Sequence, residues 1–202
     1  MLLRLDRFRP RTLTLLSPFA TGHAVAVLAQ LWLRARSLEV RRLTRADEVV
    51  DRFWERTREQ AINTNPRTST FLNWHCFSSL DFLKRLYGCY QDGHLTGLLV
   101  AYETQPRGGR MLNCADVWFD HDVPGTLDAL LARLLTDAWR DGLDGVELPP
   151  YSQAILRFSR RRGFLPRRTM PHPEYVLGPG DALDLLKSPS TYLCGLQGDR
   201  FL

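Results

Sequence analysis

The chain has 202 residues, 44 % of them hydrophobic and 24 % charged, with a net charge of +5. This composition excludes an intrinsically disordered chain and predicts one soluble domain with an extension, or two small pieces. Residues 1–42 hold eight arginines against two acidic residues, a net charge of +6, so the remainder carries −1. The main domain therefore lacks the basic surface of a nucleic-acid-binding protein, and we expect no nucleic-acid partner.

The first element is an apolar segment over residues 19–33. It contains His23 and Gln30 and is shorter than the roughly 20 residues that a membrane-spanning helix needs. Apolar residues repeat at i+4 along two stripes, which favours a helix packed on the domain. The stripes are Phe19, His23, Val27, Leu31 and Ala35, and Ala24, Leu28 and Trp32. Membrane association is not expected; a contact of this helix and the arginine-rich arm with an acidic or membrane surface stays open as an alternative.

The next elements alternate between strand and helix. Residues 38–43 predict a strand, and residues 44–47 resemble a capping box before a helix that ends near Asn63. A short helix follows over residues 71–77, and then three strands over residues 85–90, 95–102 and 111–119. The Asp92-Gly93 pair between the first two of these strands is typical of a hairpin.

The second half predicts a helix that begins near Pro124 and ends at Gly142, and a short strand over residues 145–148. A helix capped by Ser152 and stopped by Gly163 comes next, and a closing hairpin over residues 164–169 and 174–177. The predicted order is β α α β β β α β α β β, an α/β fold with a mixed central sheet flanked by helices. Residues 179–202 predict a tail, with a short helix and strand as one possibility.

The cysteines and histidines predict no metal site. Cys76, Cys89, Cys114 and Cys194 form no CxxC pair and no metal-binding cluster with histidine. We expect buried thiols and a cytoplasmic setting. His75 and His121 are acid–base candidates on their residue type alone.

Three motifs follow one another within residues 38–178: the hairpin sequence at residues 90–100, Leu130-Leu131 with Gly142 in the predicted long helix, and the Gly163-Phe164 ending of the last helix. In this order they resemble the second hairpin, the central helix and the closing helix of the GNAT acyltransferases. The resemblance implies a bacterial N-acyltransferase that takes an acyl group from acetyl-CoA or another acyl-CoA and passes it to a small-molecule or peptide amine.

A segment at residues 71–74 resembles tandem-lobed, Fem-like members of the group. In such proteins a first lobe precedes this one, and residues 1–37, a basic extension with one apolar helix, would be the end of that lobe or a linker. A partner protein or a missing first lobe is therefore a further expectation. A catalytically degenerate lobe with a structural or partner-binding role is the alternative to an active enzyme.

The resemblance also implies a site. The catalytic candidates are Asp116, Asp120 and Ser159; the acyl-CoA-binding candidates are Val117, Phe119, Gly125, Thr126 and Ser152. Asp116 and Asp120 should lie on one sheet face with Trp118, because strand side chains alternate. Ser159 stands where the family often has a tyrosine as general acid.

The phosphate-binding loop of the family aligns with residues 122–127 and departs from its pattern. Gly125 is retained, whereas Asp122 replaces Gln or Arg, Pro124 removes an N–H donor, and Leu127 replaces a small residue. The open alternatives are a helix start that binds no cofactor, a CoA site of modified geometry, and a donor other than CoA.

Overall fold

The computed structural model describes residues 17–61, 64–78, 84–105, 109–148 and 153–164. The helices are α1 (Ser17–Arg34), α2 (Glu48–Thr57), α3 (Ser69–Phe77), α4 (Thr126–Arg140) and α5 (Gln153–Arg161), and a 3₁₀ turn at Arg58–Gln60 follows α2. The strands are β1 (Glu39–Leu43), β2 (Lys84–Gln91), β3 (His94–Thr104), β4 (Met111–Phe119) and β5 (Gly145–Glu147).

The five strands form one sheet in the order β1-β2-β3-β4-β5. The first four strands are antiparallel, and β5 runs parallel to β4 after the α4 crossover. The predicted mixed α/β sheet is therefore confirmed. The predicted closing hairpin and the tail over residues 179–202 lie outside the described residues.

Local signals account for most element ends. Asp92 and Gly93 have φ angles of 49° and 81°, the left-handed pair that the β2–β3 hairpin requires. The predicted capping box at Thr44 is wrong, because Asp47 is the N-cap of α2 and its carboxylate accepts the Val49 N–H at 3.0 Å. The predicted end near Asn63 is also late, since α2 ends at Thr57.

The two faces of the sheet carry different helices. Trp118 faces α2, where its ring lies 5.5 Å from that of Trp54. Gly97, which pairs with Phe119, faces α4: a Cβ atom there would lie 2.6 Å from the Cγ2 of Thr126. Glycine at position 97 thus lets the start of α4 approach the sheet closely.

Helix α1 packs on α4, on the side of the sheet away from α2. Ala24, Val27 and Leu31 are buried and belong to the same core as the sheet and α4. The predicted packed helix over residues 19–33 is confirmed, but the second predicted stripe is wrong at Trp32, which is 49 % exposed.

Candidate functional site

Strand β4 extends beyond its parallel neighbour, β5. It pairs with β5 only over Met111–Asn113 and continues to Phe119. Its register with β3 shifts just past this point, because Val100 pairs with Asp116 whereas Ala101 pairs with Cys114. Ala115 is thus the extra residue of a β-bulge, a feature that bends a strand and often lies near a functional site.

Asp116 lies on this stretch of β4 and is bound to a buried arginine. Arg67 donates from Nε to Oδ2 at 2.7 Å and from a terminal nitrogen to Oδ1 at 3.0 Å. The side chains of Arg67 and Asp116 are 1 % and 4 % exposed. A carboxylate held in this bidentate way is already satisfied, so it is poorly disposed to act as a general base.

The same arginine also holds the loop before α3. Its other terminal nitrogen donates to the Thr64 hydroxyl at 2.7 Å and to the Asn65 carbonyl at 2.9 Å. The guanidinium group lies 4.3 Å from the centre of the Trp118 ring, within the range of a cation–π contact. Asp116 and Trp118 thus share one sheet face, as predicted, and Arg67 ties that face to the loop.

Asp120 organises the turn between β4 and α4. Its Oδ1 accepts the Asp122 N–H at 3.0 Å, and its Oδ2 lies 3.3 Å from a terminal nitrogen of Arg56. Gln60 donates to Oδ1 at 3.5 Å. The carboxylate therefore links this turn to α2, and its role as a catalytic group stays a prediction.

Ser159 lies within α5 and is buried. Its hydroxyl donates to the Ile155 carbonyl at 2.7 Å. This is the ordinary bond from a helical serine to the preceding turn. Ser152, predicted to contact the acyl donor, lies outside the described residues.

Within the described part of the chain, the N-cap residue of α4 provides no side-chain cap. Gly125 is the N-cap residue, with a φ angle of 87°, and it has no side chain that could accept from the first turn, whereas α2 and α3 are capped by the side chains of Asp47 and Thr68. Thr126 is buried, and its Oγ1 lies 3.0 Å from the Val123 carbonyl oxygen. The first N–H groups of α4 therefore point at a site that could accept an anion.

The end of α1 lies against this same helix start. A Cβ atom at position 125 would be 2.7 Å from the carbonyl oxygen of Arg34 and 3.4 Å from a methyl group of Leu38. The sequence did not predict this contact, because Arg34 and Gly125 are 91 positions apart and no local pattern connects them.

The other loop residues divide into two groups. Leu127 is 5 % exposed and belongs to the core. Asp122 and Pro124 are exposed. The Asp122 carboxylate therefore lies beside the start of the helix, and Pro124 has no backbone N–H to donate there. Val117 is fully buried and Phe119 is partly buried, with its ring 5.0 Å from that of His121.

A second buried polar cluster lies under α3. Lys84 donates to the His75 carbonyl at 2.8 Å. Burial and the Lys84 charge lower the pKa of His75 to about 4, so this imidazole is neutral at pH 7. Burial raises the pKa of the Cys76 thiol to about 12. Across the described residues, no group of three or more His, Cys, Asp or Glu side chains could hold a metal ion.

Four antiparallel strands, a crossover helix and a short parallel strand define an α/β protein that opens between β4 and β5. Solved structures share this architecture. An aminoglycoside acetyltransferase from an uncultured soil metagenomic sample, solved with trehalose and with sisomicin, has a TM-score of 0.51 at 17 % identity over 71 % of this chain and 98 % of its own. The aminoglycoside acetyltransferase AAC(6')-Iy, solved with a CoA-containing bisubstrate analog, has a TM-score of 0.50 at 12 % identity over 69 % of this chain and 99 % of its own.

The chain therefore has the fold of the GNAT acetyltransferases. No protein-family model matches the sequence, and no curated protein matches it either.

Proposed function

We propose that the protein is a GNAT-like acyltransferase that transfers an acyl group from an acyl-CoA to an amine. The observation that carries the proposal is the uncapped N-terminus of α4, which directly follows the part of β4 that has left β5. Structures of the same fold are aminoglycoside acetyltransferases, one of them solved with a CoA-containing analog. A small-molecule amine is accordingly the acceptor class to test first.

The pyrophosphate of the donor would accept from the N–H groups of the first α4 turn, at Thr126, Leu127 and Asp128. These groups have no acceptor within the helix, and the positive end of the helix dipole favours an anion there. Asp128 is paired with Arg162 at 2.8 Å, so its charge is partly compensated. Asp122 is exposed beside the turn and opposes phosphate binding, so we expect a weak donor site.

In the reaction, the amine nitrogen forms a bond to the thioester carbonyl carbon, the carbon–sulfur bond breaks, and the sulfur leaves with a proton. The amine nitrogen loses its proton in the same sequence. Ala115 has no partner in the β3–β4 register, and its backbone N–H is our candidate donor to the carbonyl oxygen as negative charge develops there. Because Asp116 and Ser159 are engaged elsewhere, we assign the proton transfers to water.

Calorimetric titration with acetyl-CoA tests the proposal, with pantetheine as a ligand that lacks the pyrophosphate. We expect heat with acetyl-CoA and weaker binding of pantetheine. Asp122→Arg removes a negative charge and adds a positive one, so it should tighten acetyl-CoA binding about threefold to thirtyfold, at about 0.3–1 kcal/mol for each of the two charge changes. Glu55→Arg on α2 is the matched control, since it makes the same charge change on the opposite face of the sheet.

A degenerate lobe with a structural role is the second candidate. The observation that favours it is the Arg34 carbonyl oxygen, which already lies against Gly125 with its own negative partial charge. If neither the wild type nor Asp122→Arg binds acetyl-CoA at millimolar concentration, the acyltransferase proposal is rejected in favour of this one. Binding that Asp122→Arg strengthens and Glu55→Arg does not would reject a lobe that has lost the donor site.

A further inference from the structure

The outer face of α1 carries no charged residue and exposes several large apolar side chains. Residues 17–33 contain no Asp, Glu, Lys or Arg. Val25, Trp32 and Leu33 are 54 %, 49 % and 57 % exposed, while the opposite side of the helix is buried on α4. By contrast, α2 carries acidic and basic residues along its length. A solvent-facing helix surface is normally polar, so this exposed apolar face indicates an interaction surface.

The apolar surface continues onto α4. A groove of about 190 Å³ between the two helices is lined by residues that include Val25, Leu28 and Trp139. Trp139 is itself 42 % exposed. Contiguous exposed apolar groups of this kind mark interaction surfaces, and tryptophan is enriched where one side meets an apolar phase and the other meets water.

Positive charge lies beside this surface. Arg34 and Arg36 are exposed at the end of α1, and Arg140 is exposed beside the groove. The sequence before α1 adds four arginines at positions 4, 7, 9 and 11. Three described arginines thus lie beside an uncharged helix face, a combination of positive charge and exposed apolar groups that favours binding to an anionic membrane surface.

We propose that the outer face of α1 binds the surface of an anionic lipid bilayer. The helix would lie in the interface plane, with Trp32, Leu33 and Val25 among the headgroups and the arginines on the anionic lipids. The helix does not cross the bilayer: across the described residues, none of the helices combines the length and the apolar character that spanning requires. One side of α1 packs on the protein core, and the opposite side contacts the lipid surface.

Co-sedimentation of the full chain with vesicles tests this proposal. We expect binding to vesicles of equal parts phosphatidylcholine and phosphatidylglycerol, weakening as salt is raised, and little binding to phosphatidylcholine alone. Trp32→Glu/Leu33→Glu should lower the partition at least about tenfold, the fold-change expected for losing one buried large apolar side chain. Trp74→Glu/Phe77→Glu is the matched control, because both residues are exposed on α3, which packs with α2 away from α1.

Each alternative result overturns the proposal. Wild-type protein that stays in the supernatant with anionic vesicles would do so, as would equal loss of binding in both double variants. A wild-type dimer that Trp32→Glu/Leu33→Glu converts to a monomer, without any vesicle binding, would assign the face to a second copy of the chain. Thermal melting checks that each variant folds, and Val25→Glu provides a second, single change on the same face.

Discussion

Replacement of Arg67 by methionine tests whether the buried ion pair with Asp116 holds β4 to the loop before α3. The two side chains are 1 % and 4 % exposed, so the change leaves a buried carboxylate without its partner. Removing one member of such a pair costs about 3–5 kcal/mol. For a chain of this size, each kcal/mol shifts the melting temperature by about 2–4 °C, so we expect a decrease of about 6–20 °C.

Urea denaturation followed by circular dichroism measures the free energy of unfolding of Arg67→Met, of Asp116→Leu and of the double variant. The double variant should be more stable than Arg67→Met, because replacing both charges by apolar groups removes the uncompensated carboxylate. Arg52→Met is the control, since its pair with Glu48 is exposed and surface pairs contribute less than about 1 kcal/mol.

Two outcomes would refute this reasoning. A loss of less than about 1 kcal/mol in Arg67→Met would mean that the pair does not hold the strand to the loop. A double variant less stable than Arg67→Met would mean that the buried charge is not the source of the cost, and that the contacts of Arg67 with Thr64, Asn65 and Trp118 account for it instead.

Three further predictions follow from single positions. Gly97→Ala should destabilise the protein by about 1–3 kcal/mol, because its Cβ would lie 2.6 Å from the Cγ2 of Thr126; adding Thr126→Ser, which removes that methyl group, should restore part of the melting temperature, and no recovery would contradict the clash. The pKa of His75 is lowered to about 4 in the folded protein, so as pH falls the imidazole is protonated in the unfolded chain before it is protonated in the folded one. The free energy of unfolding should therefore fall as pH drops from about 6.5 to about 4. His75→Leu should flatten this dependence in urea titrations, and an unchanged slope would exclude His75 as its source. Burial raises the pKa of Cys76 to about 12 and that of Cys89 to about 11, so neither thiol should be alkylated by iodoacetamide in the folded protein at pH 7; peptide mass mapping that finds rapid modification of Cys76 would contradict the buried placement.

The elements that the sequence predicted well are those whose signals are local. The bounds of β4 were predicted at Met111 and Phe119, and the β2–β3 hairpin turns at Asp92 and Gly93. Alternation along a strand and positive φ at a turn depend only on neighbouring residues. The order of these elements was enough to predict the mixed sheet.

The features that the sequence did not predict are contacts between distant segments. Arg67 follows residues 63–66, whose sequence is typical of a turn, and it pairs with Asp116, 49 positions further along the chain. The same holds for the Arg34 carbonyl against Gly125 and for the burial of Leu127. Asp116 was therefore predicted as a catalytic base from its residue type on an apolar strand, without knowledge of the arginine that binds it.

Helix α1 shows both contributions together. Its sequence by itself determined an uncharged, apolar helix, because the i+4 spacing and the absence of charges over residues 17–33 are properties of the chain alone. Only the tertiary structure decided which side of that helix is buried, because packing on α4 selects Val27 and Leu31 and leaves Trp32 and Leu33 exposed. A helix with apolar residues on several sides has no single inner face in its sequence, so its neighbour assigns one.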